Sequence, residues 1–320
     1  MKDLLITRLD AVAVASDSLQ VRHRRPLPSY TLFSPYIISR LASARDRRFL
    51  FGVCRSRRYG SLLSDILRPG GPSVAEIATQ KITLAVADGS TMDAYVARPA
   101  NHGKYPAILV FQEAFGVTAH IRDIAERFAK AGLVAIAPEL FHRTAAPGAE
   151  IAYNDTSTAM QHARAGSTEQ LVLDIRSAYE WLTKDSGVHT DRIASVGFCM
   201  GGRASFLACA KVPLQAAISF YGGGIAPTLL PHVAELRAPI LFFWGGKDKH
   251  IGQDQIRAIV DECKRLGKPY VNVEFSEADH AFFRDVGPAY HPGAASLAWN
   301  LTEAFLHLHV REPHRRARIR

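Results

Sequence analysis

From Val74 onward, the apolar and polar positions of this chain fall into two alternating textures. Largely apolar runs of five or six residues predict buried strands at 106–111, 133–137, 193–198, 216–220 and 239–244, and Tyr270-Val-Asn-Val-Glu-Phe275 predicts one more strand. Between them, apolar residues recur every three or four positions, the period of an amphipathic helix. Ile121, Ile124, Ala125 and Phe128 mark one such helix, stopped by Gly132, and Leu171, Ile175, Ala178, Tyr179 and Leu182 mark another. A third follows Arg203, a fourth carries Ile256, Ile259, Val260 and Cys263, and the last spans about 294–308. Ahead of these, residues 81–86 and 92–96 flank Asp88-Gly89 and predict two strands around a tight turn. A polar, alanine-rich insert covers 144–167. Strands alternating with helices predict an α/β fold with a mostly parallel sheet, helices on both faces and no large cap domain.

In such sheets chemistry gathers beyond the carboxyl ends of the strands. Four residues with reactive side chains stand immediately after predicted strands: Glu113, Cys199, Asp248 and His280. The sequence around Cys199, Gly197-Phe-Cys-Met-Gly-Gly202 between an apolar run and a helix-compatible segment, has the form of the nucleophile elbow of an α/β-hydrolase, with cysteine for serine. The bland alternative is a buried strand-to-helix turn with an incidental cysteine. Against it, nucleophile, acid and histidine follow in the α/β-hydrolase chain order. Cys199 is the candidate nucleophile. His280 would take and return its proton, and Asp248 would hold the imidazole in the working tautomer. The main-chain N–H groups of Met200 and Ala114 are the natural oxyanion donors.

Together with Gln112-Glu-Ala-Phe-Gly116, His120-Ile-Arg-Asp123, Pro138-Glu-Leu-Phe141, Tyr221-Gly222 and His280-Ala-Phe-Phe-Arg284, these motifs resemble the dienelactone hydrolase family over residues 78–309. The resemblance implies a single α/β-hydrolase domain and a hydrolase opening a small lactone or carboxylate-bearing ester. In that family, carboxymethylenebutenolidases open a dienelactone during the degradation of chlorinated aromatic compounds. The resemblance also implies that Glu113 helps form the Cys199 thiolate and that Arg284 binds the substrate carboxylate. The alternatives are that Glu113 is a solvated strand-end carboxylate and that Arg284 is a rim arginine paired with Asp285. Tyr221 is either a pocket wall or packing. A second carboxylate-binding arginine is expected, with Arg143 and Arg164 as candidates. His120, Arg122 and Asp123 are read as helix-start structure, and Cys209 and Cys263 as core.

Composition narrows the remaining classes. The chain has 320 residues, 48% of them hydrophobic, and a formal net charge of +9. That charge belongs to the ends: 1–73 holds Lys2 and twelve arginines against five aspartates, and 311–320 holds five arginines against Glu312, leaving about −3 for the rest. A mildly acidic body without interleaved aromatics on a basic face does not fit nucleic-acid binding. No apolar run is long enough to span a bilayer, so no membrane partner is expected. Four cysteines without CxxC spacing and no HExxH pattern give no metal site or disulfide framework, and no motif implies a cofactor. A cytoplasmic location fits this usage; an organellar one applies if 1–73 is a transit peptide, although Asp3, Asp10 and Asp17 count against that. We read 1–73 as a basic, disordered extension ending in the linker Pro69-Gly-Gly-Pro-Ser73, with Cys54 inert, 74–310 as the hydrolase-like domain and 311–320 as a basic tail. Monomer or oligomer is left open. The competing functions are a broader carboxylesterase or thioesterase on the same site, and a non-catalytic interaction protein that retains the fold.

Overall fold

The computed structural model describes residues 76–311. The basic extension with Cys54 and the tail beyond Arg311 lie outside the described residues. Eight strands form one sheet in the order β1-β2-β4-β3-β5-β6-β7-β8. The strands are β1 (Ile77–Ala85), β2 (Thr91–Pro99), β3 (Tyr105–Phe111), β4 (Val134–Pro138), β5 (Val188–Phe198), β6 (Ala216–Phe220), β7 (Ile240–Gly245) and β8 (Tyr270–Phe275). β1 pairs antiparallel with β2, and β2 antiparallel with β4; every pairing from β4 to β8 is parallel.

The parallel strands β4 and β6 are buried along their whole length, because helices cover both faces. The α-helices among the described residues are α1 (Ala119–Lys130), α2 (Thr156–Ala165), α3 (Thr168–Lys184), α4 (Met200–Lys211), α5 (Gln253–Arg265) and α6 (Pro292–Leu306). α1 buries Ile121, Ile124, Ala125 and Phe128, the four positions that define its period. α4 buries nearly every residue after Met200, so it is the central helix behind the sheet rather than a surface one. α3 starts in a capping box, in which the Ser167 side chain accepts from the Gln170 N–H and Gln170 reaches back to Ser167.

Two elements depart from the pattern. β5 starts at Val188, five residues before the apolar run, because His189, Thr190, Asp191 and Arg192 extend it with polar positions that are not buried. The polar insert holds α2, which buries only Ala159 and therefore leaves no apolar stripe to read. Among the described residues no helix is long and apolar enough to cross a membrane.

Candidate active site

The strand ends converge because parallel strands β3, β5, β6 and β7 lie side by side and all point their carboxyl ends the same way. β5 runs straight into α4, and Cys199 is the single residue between them, with φ 56° and ψ −117°. The turn is tight enough to dictate its neighbours. A Cβ on Gly197 would lie 1.8 Å from the Gly201 carbonyl oxygen, and one on Gly201 would lie 2.2 Å from the Phe111 oxygen. Only glycine fits either position. The Cys199 N–H donates to the Phe220 carbonyl at 3.0 Å, and its own carbonyl accepts from Gly202 at 2.9 Å, which pins the strained residue from both sides.

Three non-glycine residues have a positive φ among the described residues: Cys199, Tyr221 at 38° and Ala281 at 61°. One is at the elbow, one ends β6, and one follows His280. Backbone strain is held in place only where surrounding structure over-determines it, and it concentrates at functional sites.

His280 and Asp248 meet across 32 residues of sequence, Nδ1 to Oδ2 at 2.7 Å. Asp248 is placed by the turn after β7, where its other oxygen accepts the N–H groups of His250 at 2.7 Å and Ile251 at 3.2 Å. Burial works against the Asp248 carboxylate, but the His280 hydrogen bond and charge, with those two N–H groups, outweigh it and lower its pKa. Burial also works against the His280 imidazolium, yet Asp248 and the Cys199 sulfur overcome it and raise its pKa to about 10. The imidazole edge is framed by Tyr221 and His250, with ring centroids 5.1 and 5.2 Å away.

Glu113 is buried just after β3, in a short turn bridged from Glu113 to Gly116. Its neighbour Gln112 locks that turn to the segment after β4, accepting from the Leu140 N–H at 3.0 Å. One Glu113 oxygen receives the Arg284 guanidinium at 3.4 Å, while Oε1 is buried without a hydrogen-bond partner. Arg284 is held besides by stacking over Tyr153, 4.3 Å from its centroid, and Phe115, at 5.3 Å. Its Nε donates to the Val286 carbonyl. Asp285 pairs with His120, at 3.0 Å, and Arg127, at 3.6 Å; Arg284 pairs with Glu113 instead.

Ala114 is buried beside Glu113, and Met200 opens α4, so both candidate oxyanion donors stand at the same sheet edge as Cys199. Tyr221 is fully buried with its hydroxyl unbonded; burial drives its pKa well up, reinforced by the charges of Glu113 and Cys199. The candidate second arginines separate. Arg143 is committed, with two bonds to buried Asp174 at 2.8 and 2.9 Å and another to Asp88 at 2.8 Å. Arg164 is exposed on α2. Sequence inspection passed over Phe115, Tyr153 and Arg203. The first stood inside a quoted motif and the last just after one; Tyr153 gave no signal, being a lone aromatic in a polar insert. Among the described residues no cluster of His, Cys, Asp and Glu has the form of a metal site.

A mostly parallel sheet, a strained strand-to-helix turn and an acid–histidine pair after later strands define an α/β-hydrolase. The model of the dienelactone hydrolase family matches residues 92–310. A Yersinia pestis protein named as a carboxymethylenebutenolidase is 34% identical over 227 residues, covering 68% of this chain and 84% of that protein. A Bradyrhizobium protein named as a 2-oxo-3-(5-oxofuran-2-ylidene)propanoate lactonase is 30% identical over 251 residues, covering 73% and 98%. A crystal structure from Klebsiella pneumoniae, described as a dienelactone hydrolase, superposes with a TM-score of 0.67 at 32% identity, covering 73% of this chain and 99% of that one. The chain belongs to the dienelactone hydrolase family and is a hydrolase of ester bonds.

Proposed function

We propose that this protein opens a small lactone or carboxylate-bearing ester through a thioester on Cys199, with His280, Asp248 and Glu113 moving the protons. The single observation that carries the proposal is the 2.7 Å bond between His280 and Asp248 beside the strained cysteine.

The proton inventory assigns the roles. Against the effect of burial, Asp248 and the charge of the Cys199 sulfur raise the His280 pKa to about 10, so the imidazolium is the favoured form beside the thiolate. The thiolate is the nucleophile, so the thiol needs a base. Glu113 offers one, since its Oε1 is buried and unpartnered. The proton passes from Cys199 to Glu113, and the thiolate attacks the carbonyl carbon. The resulting oxyanion is held by the N–H groups of Met200 and Ala114; losing one such donor typically costs about 3 kcal/mol. As the C–O bond breaks, His280 gives its proton to the departing oxygen and becomes the neutral base. It then takes a proton from water, which attacks the thioester; the C–S bond breaks and the departing thiolate recovers its proton from Glu113. Asp248 holds the ring throughout and stabilises its charged form.

Two observations support a lactone substrate carrying a carboxylate. The Bradyrhizobium relative is named as a lactonase for an oxo-acid lactone, and Arg284, whose Nη1 is paired with Glu113 and whose Nε bonds Val286, keeps Nη2 for a substrate carboxylate. Cys199→Ala should abolish hydrolysis of dienelactone and leave the far-UV circular dichroism spectrum unchanged. Retained turnover in that variant would overturn the mechanism. A panel of dienelactone, an aryl ester and a thioester tests the substrate class; aryl-ester preference by orders of magnitude would discard the lactonase.

A further inference from the structure

We propose that Arg203 is an anion-binding residue and that the cleft it shares with Met200 takes a carboxylate borne by the substrate, separately from Arg284. The inference rests on the cysteine-hydrolase mechanism for the reaction, but its binding site stands on independent geometry.

Arg203 sits one helical turn into α4, four residues beyond Cys199, and is half-buried. Its Nε is buried without a hydrogen-bond partner, and no carboxylate among the described residues pairs with it. Removing an ionised guanidinium from water without a counter-charge is unfavourable, and its pKa is pushed below the ordinary arginine value by burial. The one opposing influence is the charge of the Cys199 sulfur, which places the guanidinium within electrostatic reach of the reacting atom.

The space in front of it is a cleft of about 300 Å³, at the lower end of small-molecule sites. Leu140, Phe141, His162 and Leu171 wall it on the insert side. The other cation there, Arg143, is neutralised by Asp174 and Asp88. The His162 ring stacks on Phe141 and bonds Thr144 through Nδ1 at 2.8 Å, which fixes the wall. Arg284, by contrast, is already balanced by Glu113. Of the three arginines around the site, Arg203 alone is left with an unmatched charge. A carboxylate in the cleft supplies the match, and its planar fork suits a guanidinium better than any neutral group does.

The experiment compares two 4-nitrophenyl esters with the same scissile bond, a butyrate and a glutarate half-ester, in the wild type, Arg203→Gln and Arg284→Gln. Binding of monomethyl glutarate and of inorganic phosphate to the Cys199→Ala protein is measured beside it by calorimetry. Arg203→Gln should lose about tenfold more kcat/KM on the half-ester than on the butyrate, mostly through KM, and should weaken monomethyl glutarate by a similar factor when combined with Cys199→Ala. Equal losses on both esters would make Arg203 a thiolate stabiliser and overturn the proposal. So would a carboxylate preference that vanishes in Arg284→Gln and survives in Arg203→Gln, or phosphate binding in place of the half-ester. If the wild type turns over neither ester but binds monomethyl glutarate through Arg203, the catalytic mechanism fails while the anion site stands.

Discussion

Glu113 and Arg284, 171 residues apart in sequence, meet at 3.4 Å, and each is the other's only ionic partner among the described residues. The pair joins the turn after β3 to the loop that carries His280. Glu113 is buried, so its charge is tolerated because Arg284 is there.

Removing that cation should therefore cost stability, because it leaves the buried Glu113 carboxylate without an ionic partner. Arg284→Gln should unfold in urea with a loss of about 3 kcal/mol. A loss below 1 kcal/mol would mean that the turn after β3 is held without the pair.

A second tie sits behind the first. His120 is buried at the start of α1, and its Nδ1 lies 3.0 Å from Asp285, the residue after Arg284. Helix-start structure accounts for its location but not for this bond, which fixes the arginine loop to α1. Asp285→Asn keeps the shape and weakens the tie. We expect a severalfold rise in KM on carboxylate-bearing substrates with kcat nearly preserved, and a stability loss of about 1 kcal/mol in urea unfolding.

Much of this arrangement was legible in the chain itself. The buried strands announced themselves as apolar runs, and Glu113, Cys199, Asp248 and His280 each stood directly after one, so their convergence followed from the parallel sheet. α2 was not legible, since it buries only Ala159. Nor was the partner of Arg284. Asp285 is adjacent in sequence, but successive residues in a loop need not face one another, and the bond to Glu113 depends on two loops meeting in space. Arg203 was passed over because a helix-compatible arginine carries no sign of burial.

The His280–Asp248 pair makes stability depend on pH with a definite sign. The imidazole pKa is raised from 6.5 to about 10, so its contribution is fully present below pH ~6.5 and is lost as pH rises through about 10. The unfolding free energy of the wild type should exceed that of His280→Gln by most near pH 6, and the gap should narrow steadily toward pH 10. Thermal unfolding of both proteins across that range checks it; a gap that widens with pH would reverse the assignment of the proton.

The two ends of the insert are drawn together by Asp174, which is buried on α3 and accepts both nitrogens of Arg143 and the Nε2 of His142 at 3.1 Å. Three bonds to one buried carboxylate bring α3 and the segment after β4 together, and those two segments line the cleft in front of Arg203. Asp174→Ala would leave Arg143 half-buried, with only Asp88 beside it, and His142 with neither ring nitrogen bonded. Breaking a buried pair from one side typically costs about 3–5 kcal/mol, and urea unfolding should show a loss of that order. Asp174→Asn retains the acceptor oxygen while removing the charge, so it should fall between the two. Hydrolysis of a small neutral ester should survive in folded Asp174→Asn, because Cys199, His280 and Asp248 are held by the elbow and the turn after β7, which Asp174 does not touch. A loss of stability below 1 kcal/mol in Asp174→Ala would mean that α3 and the segment after β4 are held by their apolar contacts instead, chiefly Ile175 and Phe141.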